Sequence, residues 1–218
     1  MGHKFRKEQI ERVLYEIYET NRYYVATSPT KLRQKISGEQ TPIATLVMCC
    51  DSRAHTTSFT NKPENNFFIV RNIGNQYILN QGSIEYGVRI LKTELLIFLG
   101  HSKCGAVDAS MGDYSALPSS IVREVDHLAL SIEKSQLTGD HATKWHQAVV
   151  NNTRKQVELA MKDFNDLVKK NKLFILGMVM DLDNHSGRGY GRIAITSCNG
   201  ITNIEELKKI PQIASFFE

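Results

Sequence analysis

Two short apolar runs, Thr45-Leu-Val-Met48 and Leu95-Leu-Ile-Phe-Leu-Gly100, both lead straight into soft metal ligands. The first runs into Cys49-Cys50-Asp51-Ser52-Arg53, the second into His101-Ser102-Lys103-Cys104. Runs of this length, apolar throughout, read as buried strands of a parallel sheet. In such sheets functional groups gather at the carboxyl ends of the strands. Neighbouring strands would bring Cys49 and His101 together, and His101 and Cys104 are close enough in sequence to grip one ion from a single loop. Thiolate and imidazole form a ligand set that suits zinc. Along an extended chain, residues two apart face the same way. Cys49, Asp51 and Arg53 therefore share a side while Cys50 and Ser52 turn away, which selects Cys49 over Cys50.

The expectation is one Zn2+ per chain on Cys49, His101 and Cys104. Three protein ligands leave a tetrahedral zinc a fourth position for water, whose pKa the metal brings to about 7. Asp51 is placed to aim the resulting hydroxide, and Arg53 to hold Asp51 ionised through a bidentate pair. Two alternatives stay open: Asp51 is itself the fourth ligand, or Asp51 and Arg53 are an ion pair without chemistry. Cys50 and Cys198 read as small apolar residues rather than ligands. Apart from His141 and His146, which share one expected helix and read as solvated, the remaining histidines have no partner at metal spacing. His55 reads as a surface histidine more readily than as a proton shuttle.

Along the chain, Ile10, Val13, Leu14, Ile17 and Tyr18 recur at helical spacing within an amphipathic helix over 4–26. Ser28-Pro29 interrupts it, a short helical piece follows over 30–37, and 38–42 is a turn. Strands are expected over 43–48, 67–70, 94–99 and 173–180. A fifth, over 192–196, would run antiparallel to its neighbour. Helices are expected over 82–91, 117–135, 141–170 and 203–208, and Cys104 to Ser110 reads as a loop turning into a helix. Residues 61–66 and 71–75 read as a loop and a turn, and 181–191 are longer than a plain hairpin turn. Alternation of strands and helices gives an α/β fold: a mostly parallel central sheet of four to five strands flanked by helices, with an N-terminal helical arm. With no repeat or Pro/Gly/Ser-rich linker, residues 1–218 read as a single domain, the arm spanning 1–38.

Composition narrows the function classes. At 218 residues with 41% hydrophobic and 23% charged side chains, the chain can bury a core without staples. A net charge of +4, spread along the chain, makes no case for nucleic acid. No run is long enough to span a membrane, and the polar start is unlike a secretory signal. Gly2 suggests myristoylation, but Arg6 stands where Ser or Thr is wanted. Four cysteines, two of them adjacent, fit metal-bound thiolates in a reducing cytoplasm better than a disulfide framework.

Taken together, Cys-x-Asp-Ser-Arg followed some fifty residues later by Gly-His-Ser-x-Cys-Gly resembles the β-class carbonic anhydrases. Phe68-Ile-Val-Arg-Asn-Ile-Gly-Asn75, Ser83-Ile-Glu-Tyr-Gly-Val88 and Gly100-His-Ser-Lys-Cys-Gly-Ala106 fall in step, and the likeness is dense from Gln40 to Val107. The resemblance implies a zinc lyase interconverting carbon dioxide and bicarbonate, with Cys49, His101 and Cys104 as metal ligands and Asp51 and Arg53 as the catalytic dyad. Gln40 resembles the substrate-binding glutamine of the plant-type subgroup, which keeps its aspartate off the zinc. Phe68, Ile73 and Tyr86 would line that subgroup's apolar cleft, and the Gly105 amide would help bind a substrate oxygen. A small, apolar substrate suits a narrow, dry pocket with one polar end. Members are homodimers or larger homo-oligomers, in which Gln40, Phe68 and Tyr86 would serve the neighbouring chain's zinc and the arm would embrace that neighbour. The segment from Asn75 to Ser83 is shorter than in plant-type members, and Ala54-His55-Thr56 departs from the family pattern.

Two other readings compete: hydrolysis of carbonyl sulfide or carbon disulfide on the same zinc, and a non-catalytic zinc protein with a fourth protein ligand. If Asp51 swung onto the metal, activity would collapse reversibly as pH falls; Gln40 argues against it.

Overall fold

The structure is a computed structural model, and it describes residues 6–61, 64–132 and 136–217. The chain divides into two compact units, residues 1–40 and 41–218.

The N-terminal unit holds α1 (Lys7–Thr27) and α2 (Thr30–Ile36), separated at Ser28-Pro29 where Pro fixes an extended backbone. No residue of α1 is buried, although Ile10, Val13, Leu14, Ile17 and Tyr18 form an apolar stripe along it.

The second unit is built on a five-stranded sheet in the order β2-β1-β3-β4-β5, formed by β1 (Ala44–Cys49), β2 (Phe67–Asn72), β3 (Leu95–His101), β4 (Phe174–Asp181) and β5 (Arg192–Cys198). Strands β2, β1, β3 and β4 run parallel, and β5 returns antiparallel to β4. All six residues of β1 are buried, as a central strand covered on both faces requires. Its side chains alternate: Leu46 and Met48 join one core cluster, Val47 the other.

The second face is covered by α6 (His141–Lys169), capped by Asp140 through Thr143 N. Its buried residues Val149, Thr153, Val157, Ala160 and Phe164 recur at the spacing of an amphipathic helix. Two buried polar residues on the same face tie down the loop after β2: Asn152 Nδ2 donates to Gly74 O at 2.9 Å, and Tyr77 N donates to Gln156 Oε1 at 2.8 Å. On the opposite face lie the C-terminal α7 (Ile204–Leu207) and a 3-10 segment, Pro211–Phe217, contributing Leu207 and Ile213. An apolar groove of about 780 Å³ remains open there, lined by Leu46, Phe59, Ile97, Met178 and Phe216 among others.

The remaining helices are α3 (Gln81–Glu85), α4 (Gly105–Met111) and α5 (Ser119–Ser131). Helix α5 stops at Ser131, where Ile132 is extended, short of the expected end at 135, which lies outside the described residues. Where one continuous helix over 82–91 was expected, α3 gives way to a π-helical turn, Tyr86–Ile90, with Leu91 N donating to Tyr86 O. A Cβ at Gly87 would strike Thr45 Oγ1, so only glycine lets this turn approach β1 so closely. Strand β5 runs two residues further than expected, placing Cys198 fully buried in the core at its end.

Candidate metal centre

Cys49 ends β1 and His101 ends β3, so both ligands close their strands rather than follow them. The pairing of Met48 with Leu99 brings the two ends side by side. Cys104 follows at the N-cap of α4. All three side chains are buried, and their ligand atoms lie within 4.8 Å of one another, the one such group found among the described residues. The two sulfurs are 3.9 Å apart. Cys50 points out to solvent, as strand alternation requires.

The donor set fits a soft dication on three counts. The Nδ1 of His101 lies 2.9 Å from Ser102 O, and its Nε2 is buried without a hydrogen-bond partner. A ring that donates from Nδ1 keeps its lone pair on Nε2, the form that ligates metal. The thiols part with one proton readily: the hydrogen bond from Cys104 pulls Cys49 well below the ordinary thiol range despite burial, helped by His101 and by Gly74 N at 3.4 Å. Cys104 is pushed up, because its thiol proton is held in the hydrogen bond to Cys49 and because a second thiolate would sit beside the first away from water. A cation between them relieves that repulsion.

Asp51 and Arg53 form the expected bidentate pair, with Nε to Oδ1 at 2.9 Å and Nη2 to Oδ2 at 2.7 Å. The Arg53 backbone N–H adds a third bond to Oδ1 at 2.9 Å. These bonds hold the Asp51 carboxyl well below the usual carboxylate range, against partial burial. Asp51 Oδ2 lies 3.8 Å from His101 Nε2, which puts the dyad beside the ligands. Arg53 also donates to Lys103 O at 3.0 Å, linking the two ligand-bearing loops.

Sequence reasoning gave Arg71 no role of its own. From β2 its guanidinium donates to Cys49 O at 2.9 and 2.7 Å, to Asp51 O at 3.1 Å and to Ala54 O at 2.6 Å, clamping the loop that carries ligand and dyad. Its place in the Arg71-Asn-Ile-Gly-Asn75 motif was the available signal.

Of the other expected site residues, Gly105 directly follows the ligand Cys104, and Ile73 precedes Gly74, whose N–H donates to Cys49 Sγ. Gly105 opens α4 and is exposed. Phe68 and Tyr86 pack together with ring centroids 5.9 Å apart. Phe68 pairs with Thr45, four residues back along β1 from Cys49, hence about 13 Å from the ligand end. Phe68 and Tyr86 are therefore not brought to the metal centre of their own chain. Ile73 is half-buried in the turn after β2, and Gln40 is the exposed last residue of the N-terminal unit. His55 is exposed and accepts from Thr57 N.

The solvated reading of the 141/146 pair holds for only one of the two. His141 is exposed and pairs with Asp108 at 3.0 Å. His146 faces inward, half-buried and stacked on His185 with centroids 4.3 Å apart, because α6 lies down on the rest of the unit along that side. Burial lowers its pKa.

Comparison with known proteins agrees with this geometry. A family model described as carbonic anhydrase matches residues 44–188, from the start of β1 to the loop before β5. Carbonic anhydrase 2 of Mycobacterium tuberculosis is 27% identical over 179 residues, covering 76% of this chain and 86% of that relative. Among solved structures, one reported as tetrameric β-carbonic anhydrases of Sordaria macrospora matches with a TM-score of 0.74 at 22% identity, covering 88% of this chain and 98% of that one. The Coccomyxa β-carbonic anhydrase in complex with acetazolamide matches with a TM-score of 0.72 at 23% identity, covering 94% and 96%. Those two show a shared fold. With more than half of its length under a single family model, and Cys49, His101 and Cys104 converging at the strand ends within it, the chain belongs to the β-class carbonic anhydrase family.

Proposed function

We propose that this chain hydrates carbon dioxide to bicarbonate and catalyses the reverse dehydration. The observation that carries the reading is the buried Cys49–His101–Cys104 cluster with the Asp51–Arg53 pair locked beside it. Zinc held by the three ligands supplies Lewis acidity, which brings a water's pKa to about 7. Asp51 accepts a hydrogen bond from the attacking water and turns its lone pair toward the carbon. Arg53 keeps Asp51 ionised and fixed in direction. A carbon–oxygen bond forms, bicarbonate leaves, and one proton passes to solvent.

The plant-type arrangement, with Asp51 off the metal, is the finer part of the proposal. It is supported by the occupation of both Asp51 oxygens by Arg53 and by the presence of Gln40. The cleft is assigned to Phe68, Ile73 and Tyr86, with Gln40 and the Gly105 amide as polar contacts. Phe68 and Tyr86 lie too far along the sheet to serve their own ligands, which supports a homo-oligomer in which they line a neighbour's site. An α1 without a buried residue, and an open apolar groove on the sheet, support the same reading.

Stopped-flow hydration of carbon dioxide by the zinc-loaded protein tests the proposal. Cys49→Ala and His101→Ala should lose zinc and activity together. Asp51→Ala should keep zinc and lose turnover by about 100-fold or more. Zinc-loaded parent protein no faster than buffer would overturn the function, and a fully active Asp51→Ala protein would overturn the role of the dyad.

A further inference from the structure

His101 and Cys104 are joined by a two-residue turn, Ser102-Lys103, and that turn is held from outside the ligand set. Ser102 is buried, 2% exposed. Its N–H donates to Met180 O at 2.9 Å. Its hydroxyl accepts from Leu182 N at 2.9 Å and donates to Asp183 Oδ1 at 2.6 Å. The second Asp183 oxygen lies 3.6 Å from Lys103 Nζ. One carboxylate thus reaches both residues between the two ligands.

Lys103 has a φ of 54°, in the left-handed region that a side-chain-bearing residue enters only when its surroundings hold it there. This conformation turns its carbonyl to Arg53 Nη2, at 3.0 Å. The same turn therefore sets the spacing of two ligands and the orientation of the dyad's arginine.

The loop that carries Asp183 is anchored independently of the metal turn. It is the 181–191 loop that follows β4. Asp181 ties that loop together, accepting from His185 N at 2.9 Å, Ser186 N at 2.8 Å and Ser186 Oγ at 2.7 Å. Gly191 N closes it by donating to Asp181 O at 2.7 Å.

We propose that Asp183 is the positioning residue of the metal loop: through Ser102 and Lys103 it fixes the separation of His101 and Cys104 and the carbonyl that Arg53 grips. It touches neither metal nor substrate. Groups hydrogen-bonded to metal ligands change metal affinity by about 10- to 100-fold when removed, and Asp183 acts one step further out, on the turn that joins two ligands. The inference rests on the zinc reading, and its test does not depend on which reaction the zinc serves.

The test is zinc release into a chromogenic chelator from the zinc-loaded full chain. Asp183→Ala should release zinc at least tenfold faster than the parent. Asp183→Asn, which keeps an oxygen for the Ser102 hydroxyl, should stay within about threefold. Ser102→Ala should match Asp183→Ala, and the double variant should be no worse than either, because the two residues act as one unit. In carbon dioxide hydration, Asp183→Ala should lower kcat with KM held within about twofold. Parent-like release from both Asp183→Ala and Ser102→Ala overturns the proposal, as does a double variant whose defect is the product of the singles. If Asp183→Ala does not fold, Ser102→Ala is compared with Asp183→Asn instead: tenfold separation supports the positioning role and equal release overturns it. A protein that shows the predicted release pattern but no hydration refutes the reaction and leaves the positioning role standing.

Discussion

Asp51 and Arg71 are both polar residues beside the metal ligands, yet only one was legible from spacing. Asp51 stands two residues from Cys49, so strand alternation alone sets it on the ligand's side. Arg71 stands on another strand, and a lone arginine at a strand end reads as a solvated charge. The parallel register that pairs Met48 with Arg71 puts it against the 49–54 loop. Its bonds to Cys49 O, Asp51 O and Ala54 O tie three carbonyls of that loop to one guanidinium. Replacing it with methionine, which matches the stem but donates nothing, should cost on the order of 3 kcal/mol of stability. Urea unfolding of zinc-loaded parent and Arg71→Met measures this; a loss under about 0.5 kcal/mol would show that the clamp is dispensable. His146 teaches the same lesson: its sequence spacing from His141 gave no sign that His185 would stack against it.

At the scale of elements, the strands were read well, whereas the π-helical turn and the order of the 181–191 loop were not. Continuous apolar runs such as Thr45–Met48 signal a buried parallel strand whatever surrounds them. The π-helical turn at Tyr86 has no such signature, since it arises from the close approach that Gly87 permits against Thr45. The 181–191 loop was legible only as too long for a hairpin. Its order comes from Asp181. Burial alone would raise that carboxyl, but the hydrogen bonds from Ser186 and His185 outweigh it and hold it at about 2, against an ordinary 3.8. A carboxyl depressed in the folded state stabilises the fold above its unfolded pKa, and the stabilisation disappears as pH falls through the folded value. The loop should therefore contribute about 2 kcal/mol that is lost between roughly pH 4 and pH 2. Unfolding free energies of parent and Asp181→Asn, measured across that range, should converge by this amount; parallel curves would refute it.

At the scale of the whole molecule, the apolar stripe of α1 and the open groove on the sheet are the surfaces that the proposed oligomer covers. Placing charges in that stripe, as Leu14→Glu with Ile17→Glu, should lower the assembly state in sedimentation experiments. It should also reduce hydration activity at least tenfold while zinc content stays at one per chain, because a neighbour's Phe68 and Tyr86 would be lost from each site. An unchanged sedimentation coefficient would remove the arm from the interface. Local sequence was enough to point to the sheet's strands, the outward turn of Cys50, the Cys49–His101–Cys104 cluster and the Asp51–Arg53 pair, because each depends on short-range periodicity and on which residue types bind soft metals. Only long-range packing produced the Arg71 clamp, the Asp183 hold on the metal loop, the inward turn of His146 and the separation of Phe68 from its own chain's ligands. Each of those depends on register or loop packing between segments far apart in the chain, and such contacts leave no period in the sequence.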